Sequence, residues 1–513
     1  MTEAPCAGGA RLMIGFHEKR PEAAFQDVLR ETGARSIILF ARNLSCASQA
    51  RELIDELRSL VPWPLLIAVD QEGGAVLRLS RGVTVFPGNM ALGATDDETL
   101  ALEQGRQSGR ELADMGFDFN LAPVIDLQTN PQNPGIGIRS LGADRARARV
   151  LASALVHGHA ESDILCCLKH FPGKGAASVD AHLDLPVLEQ TLAEFEDPHL
   201  RIFEELIAEH PDVAIMSTHL VVRGLDAERP ATLSPAVIRR LLRGRMAFRG
   251  LIVTDCLEMG AIVNHWGVAE AAAQAAVAGH DLIPVCHTPQ RQRAAASCLD
   301  DALADGRLDP VEHQSAIDRI EARAGGRPRR VGVATPPDAA RGQNLAEDIA
   351  QRALHLFGDE RGLLPIRPDH RVSVILPRPK AMVAVEEQLG IRWSDELSAT
   401  LGVMLPPGTD LRVVDLPATG DELSRARSAD RIVLFTWDAS AQPAMRAFLE
   451  QAMGQIPDRL IVVHLRNPFD QSLVHSGITA LTAFGFRRIQ LLAVAKALTG
   501  TVGFRGQMPA PWV

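Results

Sequence analysis

The run "ILCCLKHF" at residues 164–171 is apolar for five positions and then closes on Lys169, His170 and Phe171. A short, nearly continuous apolar run of this kind indicates a strand buried on both faces, as strands of covered parallel sheets are. Seven comparable runs share its half of the chain: "RLMIGF" (11–16), "SIILF" (36–40), "LLIAVD" (65–70), "FNLAPVIDL" (119–127), "VAIMSTHL" (213–220), "LIVTD" (251–255) and "DLIPV" (281–285). Helical patterns such as 47–60 and 99–116 lie between most of them. Eight strands alternating with helices over about 290 residues fit a (β/α)8 TIM-type barrel. A doubly wound open sheet is the competing arrangement with the same content.

At 513 residues the chain exceeds one ordinary domain. The segment 322–342 is rich in Gly, Pro and Arg and lacks apolar periodicity, so 326–342 reads as a linker between a unit at 1–325 and another at 343–513. In the second unit a helix at 343–356 precedes strands at 371–376, 411–416, 431–435, 460–465 and 478–484, with helices at 441–454 and 487–499. This alternation predicts a smaller three-layer αβα sandwich.

Composition narrows the function class. The net charge of −10 and the absence of a long basic run argue against a nucleic-acid binder. No apolar run approaches the roughly 20 residues of a membrane span, and the N-terminus lacks the pattern of a signal peptide. Seven scattered cysteines form neither a disulfide framework nor a zinc pattern, which suits a reducing cytoplasm. His157 and His159 fall in a helical pattern on different faces, and read as surface residues rather than zinc ligands. No metal or cofactor is expected, and the oligomeric state is not legible.

Polar groups concentrate where the expected strands end. Asp70 closes one strand, Lys169 and His170 another, His219 a third and Asp255 a fourth. The C-terminal ends of barrel strands converge on one rim, where such barrels carry their active sites. A single terminal Asp is more often a helix cap or turn residue, but four strands delivering titratable groups together favour a site. Asp255 could serve as nucleophile, general base, ligand or hydrogen-bond anchor. Asp180 and His182, two apart, fall on one side of an extended segment, where a carboxylate on Nδ1–H leaves Nε2 to carry a proton. An Asx-turn beside a solvated histidine explains the spacing equally well.

The segments "VDQEGGAVLRL" (69–79), "FNLAPVIDL" (119–127), "IRSLG" (138–142), "KHFPGKGAASVDAHLDLP" (169–186) and "IVTDCLEMGAI" (252–262) resemble glycoside hydrolase family 3, and within it the bacterial β-N-acetylglucosaminidases of cell-wall recycling. More loosely, "GLLPIRP" (362–368) and "GQMPAPW" (506–512) resemble the second domain of two-domain members. The resemblance implies a retaining enzyme with Asp255 as nucleophile, His182 as acid/base and Asp180 as its partner, and with Asp70, Arg78, Arg139, Lys169 and His170 binding the sugar. It implies exo-hydrolysis of terminal β-linked N-acetylglucosamine from a small saccharide such as a muropeptide. Five tryptophans and no tyrosine fit a small substrate, with only Trp266 close in sequence to a catalytic position. The family's Gly-His-Gly-Asp-Thr reads "GKGAA" (173–177) here, so Lys174 stands for His or Asn and two alanines for Asp-Thr. Phosphate as acceptor, another β-glycosidase such as a glucosidase, and an inactive sugar binder are the alternatives. The second unit is expected to be structural, or to shape the outer cleft.

Overall fold

The computed structural model describes residues 6–325, 337–379, 392–418 and 421–509. Eight short strands form one all-parallel sheet: β1 (Leu12–Ile14), β2 (Ser36–Leu39), β3 (Leu66–Val69), β4 (Phe119–Asn120), β5 (Leu165–Phe171), β6 (Ala214–Ser217), β7 (Ile252–Thr254) and β8 (Ile283–Val285). Each coincides with one of the eight apolar runs. Neighbours follow chain order from β1 to β7, with β8 beside β1. A parallel bridge between Val253 and Leu282 joins β7 to β8, so the sheet closes into a barrel and the open-sheet alternative is set aside.

The period-2 geometry of a strand sends alternate side chains to opposite faces. Met13, Ile38, Ala68, Phe119, Cys167, Met216 and Val253 meet in one buried cluster fed by successive strands, which is the barrel interior. Leu12, Ile14, Ile37, Leu39, Ile67 and Val69 pack outward against helices. Helix Ala47–Ser59 buries Ala50, Leu53, Ile54 and Leu57, an i, i+3, i+4, i+7 stripe. Helix Glu98–Met115 starts where the Asp97 side chain accepts from the Thr99 and Leu100 amides and stops at Gly116 with φ 94°.

The second sheet holds β9 (His355–Gly358), β10 (Val372–Pro377), β11 (Asp410–Val414), β12 (Arg431–Trp437), β13 (Leu460–Leu465) and β14 (Thr479–Thr482), in the order β9-β14-β13-β12-β10-β11. All pairs are parallel except β9 with β14. Strand β9 was not expected: the helical pattern of 343–356 breaks off at Arg352, and residues 355–358 form an antiparallel edge. Of the expected linker, 326–336 lie outside the described residues, and helix Ala339–Arg352 begins at Asp338, whose side chain accepts from the Arg341 amide.

Histidines 157 and 159 do face different ways, yet only His157 is at the surface. His159 is buried, with Nδ1 against the Leu155 carbonyl at 2.9 Å and Nε2 against Asn120 at 3.3 Å. Helical spacing could not tell which face met the barrel.

Candidate active site

Five charged side chains behind the ends of β3 and β5 form a buried network. Lys169 Nζ donates to Asp70 Oδ1 at 2.9 Å and pairs with Glu72 Oε1 at 2.7 Å. Arg78 Nη2 donates to Asp70 Oδ2 at 3.3 Å. Arg139 grips Glu72 with two parallel bonds, Nε to Oε2 at 2.9 Å and Nη2 to Oε1 at 2.8 Å, the planar fork that a carboxylate fits best. Burial disfavours the charge on Asp70 and Glu72, but Lys169 with Arg78, and Arg139 with Lys169, outweigh it and hold both carboxyls below their ordinary range. Against burial, Asp70 and Glu72 raise Lys169 above its ordinary value. Three cations against two carboxylates leave excess positive charge and donor capacity, which suits the oxygen atoms of a sugar.

His170 is turned by Asp126. The Asp126 Oδ2 accepts from the His170 amide at 3.0 Å and lies 2.6 Å from Nδ1, while Oδ1 accepts from the Lys174 amide at 2.7 Å. Burial, with Lys174, Arg139 and Lys169 nearby, drives the His170 imidazole well below its usual pKa. It is therefore a neutral ring donating Nδ1–H to Asp126.

The loop after β5 brings the second pair in. Asp180 Oδ1 accepts from the His182 amide at 3.0 Å and meets His182 Nδ1 at 2.8 Å. Burial opposes ionisation of Asp180, but the hydrogen bond and charge of His182 hold its carboxyl at about 2. The Ala176–Ala177 pair does not leave this loop untied. Asn130 Nδ2 donates to the Ala176 and Ala177 carbonyls at 3.2 and 3.3 Å, and Asn133 Nδ2 to those of Lys174 and Gly175 at 2.7 and 3.2 Å.

At the end of β7, Asp255 Oδ1 accepts from the Cys256 amide at 2.9 Å. Burial raises its carboxyl, yet Lys174 first, with His219 and His182, brings it below the ordinary range. His219 Nε2 donates to the Cys256 carbonyl at 2.9 Å, so its Nδ1 accepts from Thr232 Oγ1 at 2.9 Å. That neutral ring fixes the backbone beside Asp255.

Seven of the eight residues to which the resemblance gives a role line one cavity of about 380 Å³: Asp70, Arg78, Arg139, Lys169, His170, His182 and Asp255; His219 is not among its lining residues. The eighth, Asp180, stands behind His182. Lys174 lines it too, and Phe40 is the one Phe or Trp among the lining residues. Trp266 is not at the cavity but packs on the apolar layer outside the barrel. Glu72 and Asp126 were missed, although both lie in quoted segments. Each acts through another residue, and nothing in the spacing of "QEGG" or "VIDL" separates such a carboxylate from a turn residue.

Residues 9–322 match the glycosyl hydrolase family 3 N-terminal domain. The chain is similar to a β-hexosaminidase A of Pseudoalteromonas piscicida, at 30% identity over 69% of this chain and 64% of that protein, so it spans just under two thirds of that relative. It is also similar to a β-hexosaminidase of Haemophilus influenzae, at 34% identity over 54% of this chain and 79% of the relative. Among solved structures, a glycoside hydrolase family 3 β-N-acetylglucosaminidase from Paenibacillus sp. str. FPU-7 superposes with a TM-score of 0.91 at 32% identity, covering 100% of this chain and 99% of its own.

Proposed function

The chain belongs to glycosyl hydrolase family 3, and from that premise we propose that it is a retaining exo-β-N-acetylglucosaminidase, releasing terminal β-linked N-acetylglucosamine from small saccharides such as muropeptides in the cytoplasm. The observation that carries this reading is the meeting of Asp255 with His182, backed by Asp180, in one small cavity that Asp70, Lys169 and Arg139 of the charged network also line. The names of the relatives bear on the sugar, and a cavity of about 380 Å³ favours a short substrate over a long polysaccharide.

In this reading the network, with Arg78 and His170, holds the terminal ring. The Asp255 carboxylate attacks the anomeric carbon as His182 Nε2 passes its proton to the glycosidic oxygen, and the C–O bond to the leaving sugar breaks. Asp180 keeps Nδ1–H and balances the charge of the ring while it carries both protons. In the second half, His182 Nε2 takes a proton from water, whose oxygen displaces Asp255 and restores the starting configuration.

Turnover of aryl β-N-acetylglucosaminide, β-glucoside and β-xyloside tests the substrate, and preference for the glucoside would overturn it. A 2-acetamido-5-fluoro glycosyl donor followed by peptide mass analysis tests the nucleophile. The expected adduct is on the peptide containing Asp255, and an adduct elsewhere refutes the assignment.

One observation favours a second reading. Lys174 is buried against the same cavity, and among the described residues its ammonium makes no direct ion pair, Asp255, Asp126 and Asp180 acting on it from further off. An unpaired buried cation suits an anion, and phosphate could then replace water as acceptor. Release of sugar 1-phosphate that requires added phosphate would establish this, and equal rates with and without phosphate would reject it.

A further inference from the structure

The mechanism leaves one group of reactive side chains at the cavity unused. Cys256 and Glu258 follow β7, and Cys286 and His287 follow β8, the two strands whose pairing closes the barrel. The Cys256 Sγ, a Glu258 carboxylate oxygen and a His287 ring nitrogen all lie within 4.8 Å of one another. Cys286 is buried and lines the cavity alongside Cys256. All four residues line the cavity that holds Asp255. Among the described residues, this is the one group of three or more such side chains with metal-holding geometry.

We propose that Cys256, Glu258 and His287 bind a thiophilic divalent cation of the Zn2+ class, and that its binding shuts off turnover at the adjoining Asp255. Thiolate, imidazole and carboxylate are the ligand set of zinc. A tetrahedral ion with bonds of about 2.0–2.3 Å spaces its donors by about 3.3–3.8 Å, so the side chains have only a short distance to close. Water completes the fourth position.

Two features preorganise the set. Glu258 Oε2 accepts from the His287 amide at 2.5 Å, and Arg291 Nη1 reaches Oε1 at 3.4 Å. These bonds hold the carboxylate beside His287 before any ion arrives, and leave lone pairs free on both oxygens. The His287 carbonyl in turn accepts from His17 Nε2 at 2.9 Å.

Inhibition follows from adjacency. The Cys256 amide bonds Asp255 Oδ1, so an ion held by the Cys256 side chain places a fixed double positive charge next to the carboxylate that has to attack. That charge stabilises the ionised form and weakens it as a nucleophile, while the ion takes up cavity space. The inhibition rests on Asp255 being the nucleophile, but the binding does not.

The test is a Co2+ titration of the reduced full-length protein. One equivalent is expected to give thiolate-to-cobalt charge-transfer absorption, which Zn2+ bleaches by competition. Cys256→Ser, close in shape to the native side chain, should abolish the band, and His287→Gln should weaken Co2+ binding at least about tenfold. His182→Ala should leave it unchanged. Absence of the band in the wild type overturns the site, as does its persistence in Cys256→Ser or its loss in His182→Ala. In the activity arm, Zn2+ should inhibit reversibly to chelator, and Cys256→Ser should need at least about tenfold more of it. Equal sensitivity refutes the inhibitory role. Lack of any glycosidase activity defeats the functional reading alone, because the cobalt titration still reports the site.

Discussion

At the scale of single residues, Asp180 and Lys174 set the protonation states on which the chemistry depends. Asp180 is held at about 2 by His182, so at neutral pH it is a full carboxylate on the Nδ1 side of the proton carrier. Asp180→Asn removes that charge and His182→Ala removes the carrier. Each is expected to cost about 10²–10⁴-fold in kcat on substrates with alkyl or sugar leaving groups, the usual scale of general acid catalysis. The loss should be much smaller with a nitrophenyl leaving group, which departs without a proton, and equal losses on both would remove His182 from the acid role. The same shift has a sign for stability. The contribution of Asp180 is complete above its ordinary value of 3.8 and is lost as pH falls through about 2. Wild type and Asp180→Asn should therefore converge in Tm on the acid side. Lys174 is the first cation holding Asp255 below its ordinary range against burial. Lys174→Met is expected to move the acid limb of kcat/KM to higher pH, and an unmoved limb would separate Lys174 from the nucleophile. Asp70, Lys169, His170 and Asp255 were legible because each is a polar group ending an apolar run, whereas Arg78, Arg139 and His182 were pointed to by the family resemblance. Glu72 and Asp126 were not, because their role exists only through contacts with Arg139, Lys169 and His170 that the folded chain creates.

At the scale of elements, the eight barrel strands could be read directly, since burial on both faces leaves an apolar run with little alternation. The exception proves instructive in β9. Its His355–Gly358 carries no such run, because an antiparallel edge is only half covered, and the preceding helical periodicity masked it. The loop "GKGAA" shows the same limit at finer grain. It lacks the family's Asp-Thr side chains, yet Asn130 and Asn133 from the neighbouring loop hold four of its carbonyls. Close backbone packing does the rest: a Cβ on Gly175 would stand 1.7 Å from the Leu127 carbonyl oxygen. Gly175→Ala must displace the loop bearing His182, at a cost of about 1–3 kcal/mol of the overpacking kind. Expected is a lowered Tm together with a fall in kcat on unactivated substrates larger than on nitrophenyl ones. A Gly175→Ala enzyme with wild-type rates and Tm would show that this contact is not maintained in solution.

At the scale of the whole molecule, the second sheet and its helices do more than sit beside the barrel. One apolar cluster runs from Met90, Ala91 and Leu155 through to Ala346, Ile349 and Leu498, so the two parts share a core. A chain ended near Arg329 would expose that surface and is expected to lose stability rather than keep full activity. Polar contacts across the junction are more pointed. Arg487 Nε donates to the Gly74 carbonyl at 2.6 Å, and Gln490 Nε2 to that of Pro87 at 3.0 Å, tying down the loop that carries Glu72. Asn467 Oδ1 accepts from the Ile138 amide at 3.0 Å, immediately before Arg139. Gly137 has φ 48°, and a Cβ there would lie 2.3 Å from Asn467 Oδ1, so the backbone and the side chain are fitted to each other. No local pattern reveals a contact spanning |i−j| = 329 positions. The second part thereby clamps both partners of the Glu72–Arg139 pair without touching the reacting atoms. Asn467→Ala leaves the Ile138 amide without its acceptor, at about 1–3 kcal/mol, and lets Arg139 drift from Glu72. In the proposed reading the network grips the sugar in ground and transition states alike, so the loss should appear as a several-fold rise in KM with kcat changed little. Asn467→Asp keeps an acceptor oxygen in the same place and should restore KM toward wild type. A general loosening of the fold would lower Tm and kcat together and gain nothing from the aspartate, so an unrescued KM, or one that never rises, would reduce this junction to packing alone.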